Sequence, residues 1–455
     1  MQRVEKYILT KNKSKQEYLA LVDLCHKTKN LYNYVTYILR QCNIGKLENI
    51  PEFKDLVKTQ KKVVKSKKDG IEREYVQNFI AEYDLSKRLC AMKQDDYVAL
   101  KAQVAQQVIA LVFKNFKSYY KAIADYYKHP SKYHGRPAMP QYKDKDGLSI
   151  ATYTNQSASI DKNGNVKLAR DFVLHSIVTS IGKKIFRQIR IIPRLDYFQI
   201  EIVYEKARGE YTAQAIEKNK KKYTAAIDIG VDNLATIASD NEDLAPLIVN
   251  GRALKSVNQY YNKMLAELNK TYSKHKIHTG KKLRKLNMKR NFIIEDFMHK
   301  ASRRVVDFCI INDIGKLVIG HNTGWKQECD MSKKNNQNFV QIPFNKFINM
   351  LKHKCEEVEI EVELHEEAYT SKCSALDNEE VRKHEAYLGK RIKRGLFKTK
   401  EGKLLNADAN GSYNILRLGK NADVIIKKAF NPVKLKNMNE LCDVAYFKWQ
   451  PADRG

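Results

Sequence analysis

A surplus of positive charge constrains this chain more than any other feature of its sequence. It carries 83 Lys and Arg against 52 Asp and Glu, a formal net charge of +31 over 455 residues. A globule with that imbalance repels itself. The charge makes sense where a polyanion normally neutralises it, and nucleic acid is the default polyanion. An anionic membrane surface is the rival reading. Against it, the basic residues are spread along the chain and interleaved with 26 Tyr rather than gathered into one juxtamembrane cluster. Tyr beside Lys suits base stacking and phosphate contact. No run of about 18 apolar residues exists, so no transmembrane helix or membrane partner is expected. The stretch MQRVEKYILTKNKSK has no apolar signal core. The eight Cys, at 25, 42, 90, 309, 329, 355, 373 and 442, are scattered without a CxxC pair. They read as reduced, mostly buried thiols of a cytoplasmic protein.

At 43% apolar residues, the chain has material for two or three domains with ordinary cores. Residues 4–9 (VEKYIL) read as a strand. From 14 to 129 the pattern is helical: Val104, Val108, Leu111, Val112, Phe116 and Ile123 recur near helical spacing. Lys114, Lys117 and Lys121 occupy the opposite face, either solvated or touching a nucleic-acid backbone. The run 57–73, VKTQKKVVKSKKDGIER, reads as a charged loop between helices or a mobile tip. At 129–142 the Pro and Gly of HPSKYHGRPAMPQY end the helix. A hairpin turn at Asn163-Gly164 or Gly164-Asn165 and the alternation of Phe198, Ile200, Ile202 and Tyr204 signal strands. Residues 1–13 and 130–205 are therefore expected to form a β-barrel or sheet, with 14–129 as an inserted helical domain. Residues 206–222 read as a polar linker.

From 223 the texture is α/β. YTAAIDIG, LATIAS and PLIVNG suggest three antiparallel strands, followed by a long helical pair over 253–311. KLVIG (316–320) reads as a buried strand, and Phe344, Phe347, Ile348 and Leu351 mark an amphipathic helix. VEIEVELHEE (358–367) is a further strand, and a last helix covers 410–418. The order β-β-β-α-β-α-β-α is the RNase H-like arrangement that RuvC nucleases share. The predicted fold class is thus α/β plus α+β, with a nuclease-type domain at 223–420 and a tail, 421–455, without a firm pattern.

Asp228 sits inside an apolar strand, where a bare carboxylate is costly. Asp408 sits in NADANGSYNI, at the start of the last helix. Each has a plain structural alternative: Asp228 could end its strand at a turn, and Asp408 could be a helix cap. A two-metal nuclease needs several carboxylates around cations about 4 Å apart, and Mg²⁺ prefers such hard oxygen ligands.

The motifs IDIGVDNLATI, LVIGHNTGWKQ and NADANGSYNILR resemble, in order, the three RuvC motifs of the TnpB family, transposon-encoded relatives of type V CRISPR effectors. HKASRRVVDF, YTSKCS, GRPAMPQYK and TYTNQS resemble the segments around them, so the resemblance covers nearly the whole chain. It implies a wedge domain for the N-terminal strands and a recognition domain for the helical insert. It also implies an enzyme that binds a structured guide RNA, pairs it with target DNA beside a short adjacent motif, and cuts with Mg²⁺ as a monomer or homodimer. Base pairing then reads sequence, while protein reads shape.

The sequence departs from the family in two places. The second motif usually ends in Glu, where this chain has Gly320. Glu366 and Glu367 end the neighbouring strand, and one of them is expected to supply the displaced ligand. Alternation places Glu366 on the face of Ile360, Val362 and Leu364, and Glu367 on the other, although a strand end can twist. Glu328 and Asp330, in a polar loop, and Asp313, at the wrong end of its strand, are weaker substitutes. Relatives also often carry two CxxC pairs between the second and third motifs. Here 373–407 holds only Cys373, so no zinc is expected, and KRIKR in that insert is a possible nucleic-acid contact. Expected catalytic and metal-binding residues are Asp228, Glu366, Glu367 and Asp408. Expected nucleic-acid contacts are Arg136, Lys143, Lys281, Arg284, Arg290, Trp325 and Lys326. Two other readings compete with the nuclease: a nuclease-dead, guide-dependent DNA-binding repressor, and a guide-independent transposon-encoded nucleic-acid binder.

Overall fold

The computed structural model describes residues 2–435 except 66–71, 169–171, 182–185, 206–209, 277–279, 323–339 and 427–431. The chain divides into two compact units, Met1–Ala207 and Arg208–Gly455.

In the first unit, strand β1 (Gln2–Thr10) leads into helix α1 (Lys15–Ile44). Ser14 caps that helix by accepting from the Glu17 N–H, and Gly45, at φ 79°, ends it in the left-handed region. A hairpin follows, β2 (Lys58–Lys65) and β3 (Glu72–Phe79), paired from Lys58↔Phe79 to Lys65↔Glu72. The described part of the run 57–73 is therefore strand rather than loop, and 66–71 lie outside the described residues. Its β-branched Thr59, Val63 and Val64 favour extended backbone, and the lysines between them hide that preference. Helices α2 (Glu82–Ala91), α3 (Asp95–Val98) and α4 (Ala102–Lys128) come next. On α4, Val104, Val108, Val112 and Phe116 are buried, while Lys114, Lys117 and Lys121 are exposed.

The strands after α4 are β4 (Ala151–Thr154), β5 (Ala158–Ile160), β6 (Asn165–Leu168), β7 (Val173–Val178), β8 (Phe186–Pro193) and β9 (Tyr197–Glu205). They form a sheet in the order β1-β9-β8-β4 and a second sheet β5-β6-β7. Among the described residues no ladder joins the two into a barrel. The Ser157 N–H bonds back to the Thr154 carbonyl (3.0 Å) and turns the chain out of the first sheet. The inner face of that sheet, with Ile189, Ile191, Ile200 and Ile202, shares one core with the apolar stripes of α1 and α4. Nine pairs between β1 and β9 bring the two ends of the unit together.

The second unit opens with α5 (Glu210–Lys218), inside the stretch read as a linker. Ala215 is fully buried and Ile216 packs on the same core, so a polar composition conceals a packed turn of helix. Then come β10 (Tyr223–Asp228), β11 (Asn233–Ser239), β12 (Leu247–Asn250), α6 (Arg252–Lys274), α7 (Lys281–Ile311), β13 (Ile314–Gly320), α8 (Phe344–Glu357) and β14 (Glu361–His365). The insert carries β15 (Lys390–Lys393), β16 (Leu396–Lys398) and β17 (Leu404–Asn406), and α9 (Ala407–Lys420) follows. The element order is the one expected from the sequence. The tail adds a strand that its sequence does not announce, β18 (Val433–Leu435).

The sheet order is β14-β13-β10-β11-β12-β18. The strands β10, β11 and β12 are antiparallel, while β13 and β14 run parallel to β10 and β18 runs parallel to β12. Alternation along β10 decides what each face meets. Ala225 and Ile227 join the large core with Val305 and Cys309 of α7 and Phe347 and Leu351 of α8. Ala226, with Ala238 and Val318, faces a much smaller cluster with Tyr413, Ile415 and Leu416 of α9. No helix among the described residues is long and apolar enough to cross a membrane.

Candidate active site

Asp228 is the last residue of β10 and shares the α9 face with Ala226. The parallel ladder runs Ala226↔Val318 and Ile227↔Ile319, so Gly320 comes alongside Asp228. On its other side β13 pairs Gly320 with His365. Two residues beyond His365, Glu367 returns to the same face. Gly320 is what admits it: a Cβ there would run into Glu367 Oε2 and lie 2.6 Å from Ile415 Cδ1. The Glu367 N–H donates to Asn322 Oδ1 (3.0 Å), and the Glu367 carbonyl accepts from Thr370 Oγ1 (3.0 Å). Its Oε2 is buried and has no hydrogen-bond partner among the described residues.

The third carboxylate arrives on α9. The cap of that helix is Asn406, whose side chain accepts from the N–H groups of Asp408 (2.9 Å) and Ala409 (3.1 Å). Asp408 is therefore not the cap, and its carboxylate is free to look outward. Oδ2 accepts from Asn233 Nδ2 at 2.7 Å, and Oδ1 lies 3.5 Å from the Arg391 guanidinium. One turn along, Gly411 leaves room for Asp228, since a Cβ there would sit 2.7 Å from Asp228 Oδ2.

These groups feel one another. Asp228 keeps some contact with solvent but is otherwise enclosed. Burial, then the charges of Glu367 and Asp408, hold its pKa well above the usual carboxylate value, and Arg391 offsets part of this. Burial pushes Glu367 up to about 7. An enclosed carboxylate without a partner is costly unless a cation is shared with its neighbours. The donors are hard oxygens, the kind that suits Mg²⁺. Among the described residues no three acidic, His or Cys side chains already stand at ligand spacing.

Glu366 is not brought in. It is exposed, one residue out of register with Asp228, and its carbonyl bonds His365 Nδ1 at 2.9 Å. The apolar residues of β14 mislead here because their face of the sheet is the one away from the acids: Val362 packs on the large core, and Leu364, at the sheet edge, is 41% exposed.

Of the expected nucleic-acid contacts, Arg136 and Lys281 are exposed and Arg284 is half-buried. Lys143 is turned inward: its ammonium lies 4.7 Å from the centre of the Tyr32 ring, and burial lowers its pKa. Its peptide is clamped by Asn33, which accepts from the Lys143 N–H (2.8 Å) and donates to its carbonyl (2.9 Å). Arg290 spends its donors on Asn258 Oδ1 (3.0 Å), Asn291 Oδ1 (3.1 Å) and the Gln341 carbonyl (2.8 Å). Both residues make contacts within the fold. Trp325, Lys326, Glu328 and Asp330 lie outside the described residues.

Sequence reasoning did not assign Asn233, Asp232, Arg391 or Arg394 to the acidic centre; the two arginines lie in KRIKR, which it read as a nucleic-acid contact. Asn233 lies five residues after Asp228 in the same motif, a signal that could have been read. Asp232 pairs with Lys255 (3.1 Å) and Arg394. The two arginines come from the distant insert, and no local pattern ties them to the acids.

A family model described as OrfB_IS605, probable transposase, matches residues 201–326. A model described as Cas12f1-like, TNB domain, matches residues 344–415. Among solved structures, a cryo-EM Cas12f1–sgRNA–target DNA complex aligns over 91% of this chain and 98% of its own, at 13% identity and TM-score 0.34. A cryo-EM CRISPR-Cas12f ternary complex aligns over 88% and 82%, at 11% identity and TM-score 0.35. None of the curated proteins matches the chain in sequence. The two family models take in Asp228 and Gly320 on one side and Glu367 and Asp408 on the other, so the second unit is similar to the OrfB_IS605 transposases in one part and to the Cas12f1-like TNB domain in the next.

Proposed function

We propose that this chain is an RNA-guided DNA endonuclease that hydrolyses phosphodiester bonds at Asp228, Glu367 and Asp408. The observation that carries the reading is the convergence of three carboxylates from three separate elements, one of them buried with an unpartnered oxygen. The RNase H-like element order, the two family-model matches and the net charge of +31 support the same reading. Guide RNA and target DNA are the partners proposed for the basic surfaces. In this reading the first unit corresponds to the wedge and recognition domains and the second to the RuvC domain.

Two Mg²⁺ ions, when bound, would activate a water and stabilise the leaving 3′-oxygen. The chain's own residues position the donors. Asn233 orients the Asp408 carboxylate. Asn322 fixes the backbone at Glu367. Gly320 and Gly411 keep side chains out of the space the acids occupy. A nuclease-dead binder would have no use for Glu367, a carboxyl whose burial disfavours its charged form.

The test uses the full chain with its co-purifying RNA, Mg²⁺ and a matched DNA. Asp228→Asn and Glu367→Gln are each expected to reduce cutting at least a hundredfold and to leave DNA binding intact, whereas Glu366→Gln should cut normally. Wild-type cutting by Glu367→Gln would end the assignment of that residue. Absence of any discrete bound RNA would end the RNA-guided reading.

A further inference from the structure

The insert between the second and third motifs reaches back over the acids. Strand β15 is exposed along its whole length. Its Arg391 pairs with Asp408 Oδ1 at 3.5 Å while the arginine side chain stays 47% exposed. Three residues on, Arg394, 72% exposed, pairs with Asp232. So two arginines of one short hairpin lie along the rim of the acidic centre. Asp232 has a second cation in Lys255, which approaches its Oδ1 at 3.1 Å. Asp408 has Arg391 on one oxygen and the neutral amide of Asn233 on the other.

An ion pair this exposed contributes little to stability, so holding the fold is a poor account of Arg391. Its position offers a better one. The guanidinium occupies the space beside the oxygen of Asp408 that Asn233 leaves open. We infer that Arg391 is a displaceable counter-ion of the centre, neutralising Asp408 in the ion-free protein and yielding its oxygen to an incoming divalent cation. The inference rests on the metal centre of the proposed nuclease. Arg391 and the cation then compete for one carboxylate oxygen, so the arginine sets how readily the site loads. Arg394 does not compete, because its partner Asp232 lies outside the three converging acids.

Mn²⁺ titration of the metal-free full chain, followed by the paramagnetic signal of free Mn²⁺, tests this without reading activity. Arg391→Gln is expected to tighten Mn²⁺ binding roughly two- to five-fold, the range of an exposed ion pair. Arg391→Lys, which keeps the charge, should stay near wild type. Arg394→Gln, which removes the same charge nearby, should shift binding less than Arg391→Gln. Thermal melting of Arg391→Gln without metal should match wild type. Unchanged or weaker Mn²⁺ binding by Arg391→Gln overturns the inference. So does an equal shift in Arg394→Gln, which would indicate a general field effect. Wild-type Mn²⁺ binding that survives Asp228→Asn would remove the centre itself, and the nuclease reading with it.

Discussion

At the scale of single residues, Gly320 and Glu367 act as a pair. The position where the family's second motif carries Glu is empty of side chain here, and a carboxylate from the next strand fills the space. Gly320→Ala is expected to cost about 1–3 kcal/mol in urea unfolding, since its methyl group would overpack against Glu367 and Ile415. Combining Gly320→Glu with Glu367→Ala should relieve the crowding and return a carboxylate to the usual position. That double variant is expected to cut DNA better than either single variant, and a cleavage assay of the three decides it. Asp228 was legible because an aspartate stands out in an apolar strand. Choosing between Glu366 and Glu367 was not straightforward. The apolar face of β14 packs on the large core through Val362, and the acids lie on the opposite face of the sheet, so the buried face was the wrong guide to the site.

At the scale of elements, α9 depends on polar bonds more than its sequence suggests. The apolar cluster beneath it is small. Ser412 bridges β10 and β11: its hydroxyl lies 2.8 Å from the Ala226 carbonyl and 2.9 Å from the Thr236 carbonyl, and accepts from the Ala238 N–H at 3.1 Å. Asn410 and Asn414 both donate to the Cys373 carbonyl, at 2.8 and 2.7 Å. Ser412→Ala would leave buried backbone groups unsatisfied and is expected to lower unfolding free energy by roughly 1–3 kcal/mol. A shifted urea midpoint with an unchanged slope would register it. The strands of the second unit and the long helical pair were legible from alternation and helical period. The β2–β3 hairpin and α5 were not, because lysine-rich composition looks the same on a strand, a helix or a loop. The strand β18 was invisible because three residues are too few to show a period.

At the scale of the whole molecule, the net charge of +31 pointed to a nucleic-acid partner, but it did not say which cations face that partner. Lys143 and Arg290 show why: both are absorbed into packing through Tyr32 and Asn258, contacts more than 30 residues away in the chain that no local pattern reveals. The placement of Glu367 just after β14 has a wider result for the proposed centre. Glu367 follows β14, which borders a single strand, β13, through five residue pairs. Opening that border would remove a donor while the rest of the sheet stayed paired, and outer strands open at lower free energy than central ones. Loss of Mn²⁺ affinity should therefore precede loss of secondary structure in a denaturant titration of the metal-loaded chain. Coincident transitions would show that the border strand and the sheet melt as one. In the proposed nuclease the weakest seam would govern whether the chain is armed, and any partner that braced that seam would gain a hold on its activity.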